Sequence, residues 1–208
     1  MLANTEWLPD SSWNKPFSDP EYPQRFSWDI EPQTDDRKNS RTRMVRWFYA
    51  LNGAKTMLDY INTGGEFILA NFNNCCNTWG GNVIESAKEA AWLSPAGLMM
   101  GFFPGVEGMF PLKTEISNDS DGLVTTAALE GGGQQWIFFL NRSDEEKQIE
   151  IDFADANDIK FSSGEVLHAD DPLARTRKDG SDIKKKEADV INNTVRLPKY
   201  SLTKLIYK

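Results

Sequence analysis

The chain has 208 residues, 31 of them acidic and 23 basic, for a formal net charge of −8. It is long enough to bury a real core in one or two domains, and too acidic for the basic face that a nucleic-acid partner would need. No apolar run approaches the ~20 residues of a membrane span, so no membrane partner is expected.

Met1-Leu2-Ala3-Asn4 has neither the charged n-region nor the apolar core of a secretion signal, which predicts a cytoplasmic location for the chain as given. The single histidine, His168, and the adjacent Cys75-Cys76 cannot supply a clustered His/Cys metal site. Adjacent cysteines are poor disulfide partners, so free thiols are the expected state. Neither a metal nor another cofactor is expected.

Leu2-Ala3-Asn4-Thr5-Glu6-Trp7 reads as a short strand that ends in a carboxylate beside an indole. A long loop follows, broken by Pro9, Pro16, Pro20, Pro23 and Pro32. It carries Trp13, Phe17, Tyr22, Phe26 and Trp28, more aromatic surface than a plain linker needs. Indoles stack on the C–H faces of sugar rings, which makes a saccharide cleft one reading; a loop pinned down by its own aromatics is the other.

A helix is expected from Arg41 to Asn62, with Met44, Val45, Phe48, Leu51, Leu58 and Ile61 forming one apolar stripe. Gly64-Gly65 stops it. Phe67 to Phe72 is a short apolar run without clean alternation, as in a parallel strand covered on both faces. A second helix opens at Ser94-Pro95, an N-cap followed by proline at the first helical position, and runs to Phe103 before the Pro104-Gly105 stop. Helix, buried strand and helix are the parts of a β/α barrel, though one such block cannot close one.

From about Phe110 the pattern changes to short β runs separated by turns, as in an antiparallel sandwich. The expected strands are Leu123 to Leu129, Gln135 to Leu140, the alternating Gln148 to Phe153, Lys160 to Leu167, Val190-Ile191, Thr194 to Leu197 and Leu202 to Tyr207. Asp170 to Asp189, including Lys184-Lys185-Lys186, reads as a long solvated loop. Glu130-Gly131-Gly132-Gly133 is a hairpin turn, since it lacks the lysine and following helix of a phosphate loop. Asn118 to Gly122 has no glutamate at the closing position of a calcium loop and reads as a β-turn. Glycosylation-type triplets begin at Asn118, Asn141 and Asn192; without a secretion signal they are most simply chance. The fold class expected is α+β, with a partial (β/α) barrel segment at 1–108 and an antiparallel β-sandwich at 109–208.

The order of Thr5-Glu6-Trp7, aromatic loop, long helix, Ala70-Asn71-Phe72-Asn73-Asn74, helix and sandwich resembles the C-terminal portion of a retaining clan-A glycoside hydrolase. It is most similar to the family 51 α-L-arabinofuranosidases and their family 39 β-xylosidase relatives. The resemblance implies that Glu6 is the catalytic nucleophile, at the end of the seventh barrel strand. It implies that Trp7, Trp13, Asn73, Asn74 and Trp79 contact the sugar, Asn73 and Asn74 following the eighth strand. The tail, Leu197 to Thr203, resembles the last strand of the family's sandwich. The family's acid/base comes from an Asn-Glu pair after the fourth strand, and this chain has no Asn-Glu dipeptide. Glu85, in the loop after strand eight, is the nearest internal second carboxyl and a further substrate-binding candidate.

Two readings therefore stand. One is a glycosidase module for an oligo- or polysaccharide substrate, either a fragment of a longer enzyme or a chain whose barrel is completed by a companion chain or further copies. The other is a non-catalytic carbohydrate-binding or scaffolding protein of the same descent.

Overall fold

The computed structural model describes residues 2–7, 45–64, 67–72, 82–87, 89–119, 122–154 and 159–208, with 2–7, 67–72 and Ala87 described by backbone alone. Strand β1, Leu2–Trp7, precedes helix α1, Trp47–Asn62, and strand β2, Phe67–Phe72. β1 and β2 pair in parallel, as the unalternating apolar run at 67–72 implies.

α1 starts later than its apolar periodicity suggests: Val45 and Arg46 form a turn, and Arg46 is extended at the N-cap without a side-chain cap bond. The rest of the expected stretch, with Met44, lies outside the described residues. The start is set from a distance. Trp47 and Phe48 donate their backbone N–H groups to the carbonyls of Ala174 and Pro172 at 2.8 and 2.9 Å, so another part of the chain satisfies the open first turn. Trp47, Phe48, Tyr49, Ala50, Leu51, Ala54 and Leu58 are all buried.

Between β2 and the second helix lies a hairpin where a loop was expected. Strand β3, Ile84–Ala87, pairs antiparallel with β4, Ala90–Leu93. Helix α2, Pro95–Met100, follows at once. The Ser94 hydroxyl accepts from Gly97 N–H at 3.0 Å and donates to the Asn82 carbonyl. Gly97 has to be glycine, since a Cβ there would meet the Val83 carbonyl oxygen at 2.1 Å. α2 ends three residues short of Phe103; Phe102 and Phe103 lie in the turn beyond it and are still buried.

The remaining strands are β5 Phe110–Leu112, β6 Val124–Gly131, β7 Gln134–Asn141, β8 Lys147–Glu150, β9 Phe161–His168, β10 Thr176–Arg177, β11 Gly180–Ser181, β12 Lys184–Glu187, β13 Asp189–Ile191, β14 Thr194–Leu197 and β15 Ser201–Tyr207. They form a six-stranded sheet, β12-β9-β15-β7-β6-β5, facing a three-stranded one, β13-β14-β8, with β10 and β11 paired separately. Gly132 and Gly133 both have positive φ, 58° and 73°, the backbone that a two-residue hairpin turn demands. Asn192 and Asn193 do the same between β13 and β14.

The charged stretch after Asp170 is not one loop. It contains β10, β11 and β12, and Lys184-Lys185-Lys186 is an exposed edge strand paired with β9. Edge strands carry charge because it discourages further pairing, which made this one resemble a solvated loop. β8 is likewise shorter than the alternating run that predicts it, ending at Glu150.

The six-stranded sheet is covered on both faces. Phe138, Leu140, Leu129, Leu167 and Leu202 share one core with α1, α2, Phe102 and Phe103, and Phe103 stacks on Phe138 at 5.1 Å. On the other face Val124, Ala128, Ile137, Phe139, Leu205 and Tyr207 meet Val195 and Leu197 of the smaller sheet. The architecture is α+β: a partial barrel segment of parallel strand and helix, followed by an antiparallel β-sandwich. Asn141 is fully buried, and its amide donates to the carbonyls of Glu145, Leu197 and Pro198. That triplet is therefore a structural knot with no face for a glycan.

Candidate active site

β1 and β2 run side by side, with Leu2 opposite Phe67 and Trp7 opposite Phe72. Their carboxyl ends therefore lie together. Glu6 is the penultimate residue of β1, and the pairing register is irregular between Asn4 and Trp7. Irregularities of this kind re-aim a strand locally and recur beside active sites. In a β/α barrel the carboxyl ends of the strands carry the chemistry. The side chains of Glu6 and Trp7 lie outside the described residues, as do Trp13, Trp28, Asn73, Asn74, Cys75, Cys76 and Trp79 altogether.

Glu85 is described in full. It sits on β3, directly opposite Trp92 of β4, in a hairpin and not in an open loop. Among the described residues its buried Oε1 has no hydrogen-bond partner, and neither do Trp92 Nε1, Arg175 Nε and Thr176 Oγ1. Burial pushes the Glu85 carboxyl above its usual range, and the Arg175 guanidinium opposes that shift. The arrangement follows from the fold. β10 packs against β4, and the segment before β10 is tied to α1 by the bonds to Ala174 and Pro172 and by Arg46 Nη1 to the Leu173 carbonyl at 3.1 Å.

A carboxyl with a raised pKa is what a general acid requires, but a neighbouring guanidinium and a buried oxygen are what a structural charge pair requires. Trp92, Arg175 and Thr176 were not identified from the sequence. Arg175 stands among many charged residues in a stretch that reads as loop, and nothing local marks it out.

His168 lies on β9, where desolvation and then Lys186 push its imidazole below the ordinary range against the pull of Asp170. Among the described residues no three His, Cys, Asp or Glu side chains gather to hold a metal ion.

No family model matches the chain, and no curated protein sequence matches it. Solved structures do. The family 51 arabinofuranosidase from Xanthomonas axonopodis pv. citri aligns over 78% of this chain and 36% of its own, with a TM-score of 0.65 at 14% identity. The thermostable family 51 α-L-arabinofuranosidase from Thermotoga petrophila aligns over 78% and 38%, with 0.63 at 16%. The catalytic domain of family 30 xylanase C from Talaromyces cellulolyticus aligns over 77% and 35%, with 0.55 at 13%. The chain thus spans little more than a third of the length of these structures, and at such identities the likeness is one of fold. What it shares with these glycoside hydrolases is architecture: a partial barrel segment running into a β-sandwich.

Proposed function

We propose that the chain is a glycoside-hydrolase module for an arabinofuranoside- or xyloside-type saccharide, in which Glu6 is the nucleophile. The observation that carries this reading is the parallel β1–β2 pair, which brings the carboxyl end of the Glu6-Trp7 strand beside that of the strand leading to Asn73-Asn74. Glu6 would attack the anomeric carbon and form a glycosyl–enzyme ester, which water then hydrolyses. Trp7, Trp13 and Trp79 would offer stacking surfaces, and Asn73 and Asn74 would hydrogen-bond the sugar.

Retaining hydrolysis also needs an acid about 5 Å from the nucleophile to protonate the departing oxygen. Glu85 is a poor choice for that role, being held in a hairpin opposite Trp92 and facing Arg175. The acid would then come from whatever completes the barrel whose last part is 1–108, be it more of the same chain, a companion chain or further copies, with 109–208 as the sandwich. The same observation favours the second reading, a carbohydrate-binding or scaffolding protein that has kept the nucleophile strand without its acid.

A mechanism-based 2-fluoro-glycosyl fluoride separates the two by intact-mass analysis and peptide mapping. One added glycosyl group on Glu6, absent from Glu6→Gln, is the expected result. Labelling elsewhere, or none with either the arabinosyl or the xylosyl reagent, would leave the binding reading.

A further inference from the structure

A row of residues crosses the six-stranded sheet at one end of its sandwich-facing side. Phe110 on β5 is opposite Glu130 on β6, Glu130 opposite Gln135 on β7, Gln135 opposite Tyr207 on β15, and Tyr207 opposite Phe161 on β9. Directly opposed residues share a face, and strands lie about 4.8 Å apart, so Phe110 and Tyr207 are roughly 14 Å apart along the row.

Two residues further along each strand, Ala128, Ile137 and Leu205 are buried in the cluster shared with the smaller sheet. The row itself is only partly covered. Phe110 is 70% exposed and Phe161 39% exposed, while Tyr207 stays fully buried as a floor, with Phe153 and Phe161 edge-on at 4.9 and 5.7 Å. Phe110, Glu130, Gln135 and Tyr207 line a cavity of about 400 Å³, within the range of small-ligand sites. A larger space of about 770 Å³, running along β6, β7 and β8, also reaches Gln135 and Ile159. An extended ligand entering at Phe110 therefore has somewhere to continue.

The lining selects among ligands. A carboxylate and an amide, with no side-chain partner among the described residues, stand between aromatic rings. Lys208 shares the lining and balances Glu130 locally, and the net charge of −8 disfavours a polyanion such as nucleic acid. An apolar segment would strip water from both polar groups without replacing their hydrogen bonds. A saccharide offers C–H faces to the rings and paired hydroxyls to the carboxylate and amide.

We propose that this row is a saccharide-binding subsite on the sandwich, in which Phe110 stacks on a sugar ring while Glu130 and Gln135 hydrogen-bond its hydroxyls. Its lining does not include Glu6, and its test reads binding and not turnover.

Titration of the full chain with xylohexaose and with arabinohexaose, followed by calorimetry or by amide shifts, provides that test. Phe110→Ala is expected to weaken binding of one of them about tenfold without changing the melting temperature, as suits an exposed side chain. Gln135→Ala should also weaken it, and Lys55→Ala, an exposed change on α1 outside this lining, should leave it unchanged. Absence of binding by either oligosaccharide, unchanged affinity in Phe110→Ala, or equal weakening in Lys55→Ala would overturn the proposal. So would sedimentation showing that Phe110→Ala splits a dimer while saccharide affinity stays the same, since the row would then be covered by a second copy.

Discussion

The indole Nε1–H of Trp47 donates to the carbonyl oxygen of Tyr200 at 2.6 Å, across 153 residues of sequence. With its backbone bond to Ala174 at 2.8 Å, this fully buried residue ties the first turn of α1 to two places around the sandwich. Trp47→Phe keeps an aromatic ring but leaves the Tyr200 carbonyl without that donor. A buried polar group left unmatched costs about 1–3 kcal/mol. The urea midpoint should fall accordingly with the slope unchanged; an unchanged midpoint would mean that the bond contributes nothing.

The helices and the sheet share one core, so the 109–208 segment should not behave as an independent domain. Expressed alone, it exposes the face bearing Leu129, Phe138, Leu140, Leu167 and Leu202. Apolar patches of that kind drive association. Aggregation or strong binding of a hydrophobic dye is expected. A monodisperse segment with a sharp unfolding transition would show instead that the sandwich is self-sufficient.

Parts of this architecture can be read locally. The glycine triplet sets the β6–β7 hairpin because both turn residues need positive φ, and Ser94-Pro95 starts α2 because the cap and the proline act within one turn. Other parts depend on distant partners. α1 begins at Trp47 because carbonyls at 172 and 174 accept its first N–H groups, and no periodicity in 41–47 reports that. The β3–β4 hairpin is short and carries no strong turn signal. β12 reads as loop because an exposed, charged edge strand and a solvated loop draw on the same residues. At the candidate site, Glu6 stands out by its place at a strand end. The surroundings of Glu85 were hidden because Arg175 arrives from a far part of the chain.

Glu85 gives a pH signature. Its folded-state pKa is raised above the usual 4.5, chiefly by burial, so the folded protein holds that proton more tightly than the unfolded chain. The resulting stability is fully present below 4.5 and is lost as pH rises through the folded value. Relative to the native protein, Glu85→Gln should therefore gain melting temperature as pH rises through the carboxylate range. A difference constant with pH would show that Arg175 fully compensates the burial.

The two amide N–H groups of Asn141 are shared among three backbone carbonyls, and its Oδ1 accepts from Ser143 N–H at 3.0 Å and Ser143 Oγ at 2.7 Å. Asn141→Ala should destabilise the fold by about 3 kcal/mol or more, because several buried groups lose their partner together. Chemical denaturation measures this directly, and a loss well under 1 kcal/mol would mean that the turn at 142–145 rearranges to replace the amide.

Residues 1–208 hold the proposed nucleophile, Glu6, and no Asn-Glu pair to supply the family's acid. General acid assistance is typically worth about 10²–10⁴ in rate, and good leaving groups need it least. The measurement is turnover of activated aryl arabinofuranosides and xylosides by the native chain, Glu6→Gln and Glu85→Gln, alongside natural oligosaccharides. Slow release of the aryl group is expected from the native chain and from Glu85→Gln, none from Glu6→Gln, and little or no action on natural linkages. Robust cleavage of a natural oligosaccharide that survives in Glu6→Gln would contradict the role proposed for Glu6.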